Sequence, residues 1–160
     1  MIDWRDGFRA LLVLVFIGQV LGQAAAQDAA SGPTEPLSIV GRDGRHIFAV
    51  EVMRNDADRA RGLMYRRAMA PDHGMLFDFQ ASAPVAMWMK NTYLPLDMLF
   101  IRADGSIAKI AADTEPLSTK VIPSNEPVLS VLELNAGTAA RLKLHAGDRV
   151  EHPMFGAKAR

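Results

Sequence analysis

The chain has 160 residues, no cysteine, and 18 basic against 18 acidic side chains, for a formal net charge of zero. That length suits one domain, and the lack of cysteine excludes a thiolate nucleophile, Cys-ligated zinc or iron-sulfur sites, disulfide staples and a lipoprotein cysteine. The balanced charge carries no basic stripe of the kind nucleic-acid binding leaves, so no nucleic-acid partner is expected.

Leu11 to Leu21 form a near-continuous apolar run, shorter than the roughly 20 residues a helix needs to cross a bilayer. Arg5 and Arg9 precede it and Ala24-Ala25-Ala26 follow, the pattern of a secretory signal ending in small residues. Cleavage is expected after Ala26, which exports the protein to the periplasm or beyond and leaves no membrane span. Asp3 and Asp6 offset the arginines, so an uncleaved amino-terminal anchor is the alternative. Residues 27–36 read as a flexible linker, 37–152 as a single β-rich domain and 153–160 as a tail.

In the body, Leu37 to Arg42 and His46 to Val52 are β-prone runs around Asp43-Gly44, whose positive-φ tolerance suits a tight hairpin turn. Asp104-Gly105 repeats that signal between Leu96 to Arg102 and Ser106 to Ala112. Between the hairpins a helix is expected over Asp56 to Arg61, capped by Asn55, favoured by Asp58 in its first turn and ended by Gly62. Met75 to Phe79 and Pro84 to Asn91 read as two further strands. Val128 to Leu134 is apolar in both alternating sets apart from Ser130 and Glu133, the pattern of a strand buried on both faces and therefore central. A second short helix fits Gly137 to Leu144 and a last strand fits Arg149 to Glu151. Many short strands and two short helices predict a mainly β fold, a small antiparallel β-sandwich or barrel-like domain.

The densest segment is PVAMWMKNTYLPLDMLFI, Pro84 to Ile101. If its two halves pair as a hairpin across Thr92 to Pro95, Lys90 faces Asp97, Met89 faces Met98 and Trp88 faces Leu99. Trp88, Lys90, Asp97 and Leu99 then share one face, while Met87, Met89, Met98 and Phe100 share the other and form core. The first face, with Asn91 beside it, offers an apolar platform with donors and acceptors; an edge ion pair next to a half-buried Trp is the plainer alternative. Arg66, in a turn after Gly62-Leu63-Met64, is placed to reach a carboxylate such as Asp97.

The stretches VEVMRNDADRARGLMYRR, GMLFDF, MWMKNTYLPLDMLFI and VLELNAGTAARLKLHAGDRV resemble, in order, those of the prokaryotic domain-of-unknown-function family 192 over about Ile39 to Glu151. The resemblance implies a compact β-sandwich-like domain, often exported, and brings no established reaction, ligand or cofactor. Its motif positions fall here on Gly62, Leu63, Met64 and Arg66, then on Trp88, Lys90, Asn91, Thr92, Pro95 and Asp97.

No nucleophile elbow, H-E-x-x-H, P-loop or dinucleotide glycine fingerprint occurs, and His46, His73, His145 and His152 lack a metal-binding spacing. No metal or cofactor is expected. Met64, Met69, Met75, Met87, Met89 and Met98 suit a packed core better than a Cu(I) site. The arginines flanking the first helix, at 54, 59, 61, 66 and 67, are interrupted by Asp56 and Asp58 and read as a solvated face. The leading expectation is a non-catalytic envelope binding or accessory module for a small polar, saccharide-like or anionic ligand, using Trp88, Lys90, Asn91, Asp97 and Arg66. The rivals are a hydrolase or lyase with Asp97 as acid or base, partnered by Asp113 or Glu115, and a structural or protein-interaction module.

Overall fold

The structure, a computed structural model, describes residues 32–156. The expected signal segment lies outside them. The fold is mainly β: seven strands form one curled, barrel-like sheet, accompanied by two short helices. In chain order the elements are β1 (Thr34–Gly41), β2 (Gly44–Met53), α1 (Asp56–Arg61), β3 (His73–Met87), β4 (Leu96–Ile101), β5 (Ile107–Thr114), β6 (Ile122–Asn135), α2 (Thr138–Arg141) and β7 (Arg149–Glu151), with a 3-10 turn at Pro153–Phe155. The sheet order is β5-β4-β6-β3-β2-β1-β7, antiparallel throughout except for the parallel pair β2 and β3. β1 begins at Thr34, inside the stretch expected as linker, and the 3-10 turn lies inside the expected tail.

Both Asp-Gly hairpins form, β1 with β2 and β4 with β5. β7 pairs with β1 on one side. On its other side it meets the β4–β5 turn, where the Val150 N–H donates to the Gly105 carbonyl at 2.7 Å. The two ends of the curled sheet are thereby joined. Gly105 has φ +85, and a Cβ there would lie 2.6 Å from the Val150 carbonyl oxygen, so only glycine fits this contact.

The sheet has an apolar cluster on each face. Inside the curl lie Leu37, Ile39, Phe48, Val50, Leu76, Leu99, Ile101, Leu132, Leu134 and Val150, with Ala139 of α2 plugging the opening. On the outer face lie Met75, Phe77, Met98, Phe100 and Val131, covered by Leu63, Met89 and Leu94 from the connecting segments. Met75, Met89 and Met98 are thus buried in a mixed thioether and aromatic cluster, where flexible side chains fill irregular space.

The largest departure from the sequence reading concerns Pro84 to Ile101. Met75 to Phe79 and Pro84 to Met87 belong to one long strand, β3, interrupted by an irregularity between Asp78 and Ala83. That strand does not pair with β4. The slot between them is filled by β6, which takes β3 on one side and β4 on the other and is central, as its two apolar sets require. Residues 88–95 instead fold across the outer face, burying Met89, Thr92 and Leu94. The proposed facing of Lys90 with Asp97 is therefore incorrect.

Asp97 and Leu99 sit on the inner face and are fully buried. At this point β4 and β5 shift register between Leu96 and Met98, and Asp113, at φ +49, leaves the ladder with an unpaired N–H, as a bulge residue does. Asp97 Oδ1 accepts that N–H at 2.9 Å, and its Oδ2 accepts the N–H of Ala139 at 2.8 Å. The second bond satisfies a first-turn donor of α2, whose own N-cap residue, Gly137, supplies no side-chain acceptor. Asp97 is thus a scaffold residue tying the α2 plug to the sheet. It lies off the surface, where the sequence pattern places it beside Trp88 and Lys90.

Candidate functional site

α1 starts and stops as its residues dictate. The Asn55 side chain accepts the Asp58 N–H, and Gly62, at φ +47, ends the helix over the Phe77 ring, 3.0 Å from where a Cβ would stand. Beyond it, residues 62–66 form an arch of successive turns, closed by bonds from the Met64 N–H to the Arg61 carbonyl and from the Arg66 N–H to the Leu63 carbonyl. Tyr65 holds φ +66, an uncommon conformation for a bulky residue and a cost of order 1–3 kcal/mol that surrounding contacts must offset. One such contact is its N–H, which donates to the Asn91 carbonyl at 2.9 Å. Asn91, itself at φ +56, also brings its amide nitrogen to within 3.8 Å of the Met64 sulfur. Its place is to hold the 88–92 segment against the arch.

Beneath the arch, Glu51 of β2 stands opposite Met75 of β3, Met75 opposite Glu133 of β6, and Glu133 opposite Met98 of β4. Opposed residues share a face, so two carboxyl groups point from the outer face under the arch. Two strand spacings put their backbones about 10 Å apart. The arch divides the space above this row into two concavities that share Arg61, Gly62 and Met64. The larger is an open cleft of about 530 Å³ bordered by Glu51, Met75, Tyr65 and Arg66. The smaller, of about 30 Å³, is lined by Glu133, Phe77, Met87, Trp88 and Lys90.

The two carboxyls differ in their partners. Glu51 is gripped by Arg66, which donates through both Nη atoms, the Nη2 bond measuring 2.7 Å, and the Gly32 N–H adds a bond of 3.1 Å. Burial is the largest single influence and raises the Glu51 pKa, but the Arg66 hydrogen bonds, the Gly32 N–H and the Arg66 charge together bring it below the ordinary value. Arg66 therefore finds a carboxylate, as its position in the turn suggested, but Glu51 on the outer face and not the inward-pointing Asp97. Replacing Arg66 by Met, which keeps much of the apolar stem, should cost about 1–3 kcal/mol by leaving the buried Glu51 without its cation. The loss should be largest above pH 5 and shrink as Glu51 protonates, which urea denaturation at pH 4 and pH 7 would show.

Glu133 is only 4 % exposed. Among the described residues no hydrogen bond or ion pair reaches its carboxyl, and burial pushes its pKa up to about 8. A carboxyl so perturbed at the floor of a concavity is a candidate functional group. In the sequence its only trace is a lone carboxylate in a strand otherwise apolar in both sets.

Trp88 and Lys90 do lie together at the surface. The indole is 51 % exposed, and the Lys90 ammonium stands 5.5 Å from its ring centroid. Tyr65, 58 % exposed, meets Tyr93 edge to face at 6.4 Å, and Arg67 lies 5.1 Å from the Tyr93 ring. Of the residues expected to form the site, the fold brings Trp88, Lys90, Asn91 and Arg66 to the two sides of one arch and places Asp97 inside the barrel. Tyr65, Arg61, Glu51 and Glu133 join them.

Among the described residues no group of three or more His, Asp or Glu is arranged to hold a metal ion, and no helix is long and apolar enough to cross a membrane. Comparison with curated proteins finds no match. Two crystal structures are similar over most of the domain. A candidate transcription regulator from Sinorhizobium meliloti 1021 is 54 % identical, with TM-score 0.74 over 76 % of this chain and 95 % of that one. A protein of unknown function from Novosphingobium aromaticivorans DSM 12444 is 38 % identical, with TM-score 0.75 over 78 % and 89 %. The family described as DUF192, Uncharacterized ACR, matches residues 38–152, and the chain belongs to it.

Proposed function

We propose that this chain is an exported cell-envelope module, without a catalytic step of its own, that binds a small polar, saccharide-like or anionic ligand at the concavities beside the 62–66 arch. The observation that carries this reading is the pairing of exposed rings, Tyr65 and Trp88, with the cations Arg61 and Lys90, neither of which has a carboxylate partner among the described residues. Aromatic platforms beside convergent polar groups suit a sugar ring, and unpaired cations suit an anion. The export half of the reading rests on the residue 1–26 pattern.

A hydrolase or lyase built on Asp97 is not favoured, because both oxygens of that carboxyl are engaged inside the fold. Nor do the cations favour nucleic acid, whatever the Sinorhizobium relative does: Arg45, Arg54, Arg59, Arg102 and Lys143 each face an acidic side chain, leaving little charge for phosphates. Thermal-shift titration of the purified protein with neutral sugars, acidic sugars and inorganic anions tests the binding half. One class should raise the unfolding midpoint in wild type, and Trp88→Ala and Arg61→Ala, both at exposed positions, should fold normally and lose most of that rise. Absence of any stabilising compound would leave the structural-module reading. Fractionation with amino-terminal sequencing tests export, the expected first residue being Gln27.

A further inference from the structure

Glu133 is a buried carboxyl without a partner in the described structure, and it opens onto a pocket with room for about one oxygen-sized group. The surroundings indicate which group. α1 presents Arg59 and Arg61 to this pocket and the 88–92 segment presents Lys90. Arg59 is engaged with Asp56 and with the carbonyls of Arg54 and Asp78. Asp58 of α1 lies on the larger cleft, bonded to Asn55. β3 offers Phe77 and Met75, and β4 offers Met98, none of them titratable. Glu51, the next carboxyl in the row, is held by Arg66. Three cations on the wall of this pocket disfavour a metal ion or an ammonium as its occupant and favour an anionic acceptor, while Trp88 at the mouth offers a flat apolar surface.

We propose, resting on the binding function above, that Glu133 is a ligand-contacting residue that donates its carboxylic-acid proton in a hydrogen bond to a carboxylate oxygen of an acidic sugar, whose ring lies on Trp88 and whose charge is met by Arg61 and Lys90. A neutral acid is the form that can donate. Burial, which raises the Glu133 pKa, keeps that form present at neutral pH. No bond is made or broken, and the proton stays shared between two carboxyl oxygens.

Calorimetric titration of the full protein with galacturonate, galactose and inorganic phosphate, at pH 6 and pH 9, tests this. Galacturonate should bind at pH 6 and weaken about tenfold at pH 9, as Glu133 loses its proton. Glu133→Gln, whose amide still donates, should bind within about threefold of wild type at pH 6 and lose the pH dependence, whereas Glu133→Met should bind at least about tenfold more weakly. Galactose binding as well as galacturonate, or phosphate binding more tightly, would overturn the assignment yet leave the general binding reading standing. Affinity unaffected by both Glu133 substitutions would do the same. No binding by any of the three probes would overturn both.

Discussion

Asp97→Ala is expected to lower the unfolding free energy by about 3–5 kcal/mol, because it strands two N–H donors that the fold cannot pair elsewhere. One is the Asp113 N–H, taken out of the β4–β5 ladder by the bulge; the other is the Ala139 N–H in the first turn of α2. Asp97 itself has no solvent exposure, so water cannot replace it without opening the barrel mouth. For a domain of this size the loss should appear as a fall of roughly 10 °C or more in the midpoint. Asp97→Asn keeps one acceptor but turns an amide N–H toward the other donor, and should lie between alanine and wild type. The effect should also localise: amide exchange at Ala139 to Leu142 should speed up before that of β6, since α2 loses the side-chain acceptor that caps its first turn. An alanine variant melting within a few degrees of wild type would show that the α2 plug is held by apolar packing alone.

The inward place of Asp97 shows which parts of a fold a sequence displays. Asp43-Gly44, Asp104-Gly105, the Asn55 cap and the Gly62 stop are decided by the chemistry of three or four adjacent residues, and each stands where it was expected. The centrality of β6 was also readable, because a strand apolar in both sets must have neighbours on both sides and cover on both faces. What the sequence could not display was the identity of those neighbours. Pro84 to Asn91 and Leu96 to Ile101 are adjacent and apolar, so a hairpin is the cheapest pairing to imagine. Yet all six residues of β4 are buried, which an outer strand beside β3 would not achieve. Inserting β6 between them buries β4 on both faces and frees residues 88–95 to cover the outer cluster. The face carried by each side chain followed that choice of partner. Arg66 found Glu51, fifteen residues earlier, because β2 and β3 run parallel and lay Glu51 under the arch; no local pattern signals a parallel pairing across a helix.

Glu133→Met is expected to stabilise the protein, and by an amount set by pH. In the folded state burial keeps the carboxyl protonated up to about pH 8, whereas in the unfolded chain it ionises near its ordinary value. Between these limits the folded form binds more protons, so the contribution of Glu133 to stability is fully present below about pH 4.5 and is lost as pH rises toward 8. The total over that window is on the order of 5 kcal/mol. Wild type should therefore pass through a stability maximum on the acid side, near about pH 5. Below it the decline has another source: Glu51, held below its ordinary pKa by Arg66 and Gly32 against the opposing effect of burial, loses stabilisation on protonation. The methionine variant, similar in volume and flanked by Met75 and Met98, should match wild type at pH 4.5 and exceed it progressively to pH 8.5, where its urea midpoint should be clearly higher. Parallel profiles across that range would mean that Glu133 ionises freely through an opening to solvent. A side chain that weakens its own fold at neutral pH, when a nearly isosteric apolar residue would strengthen it, is a scaffold liability retained where activity depends on it. It is the one buried carboxyl that the rest of the described structure leaves unanswered, which is why the search for a ligand should begin at that pocket.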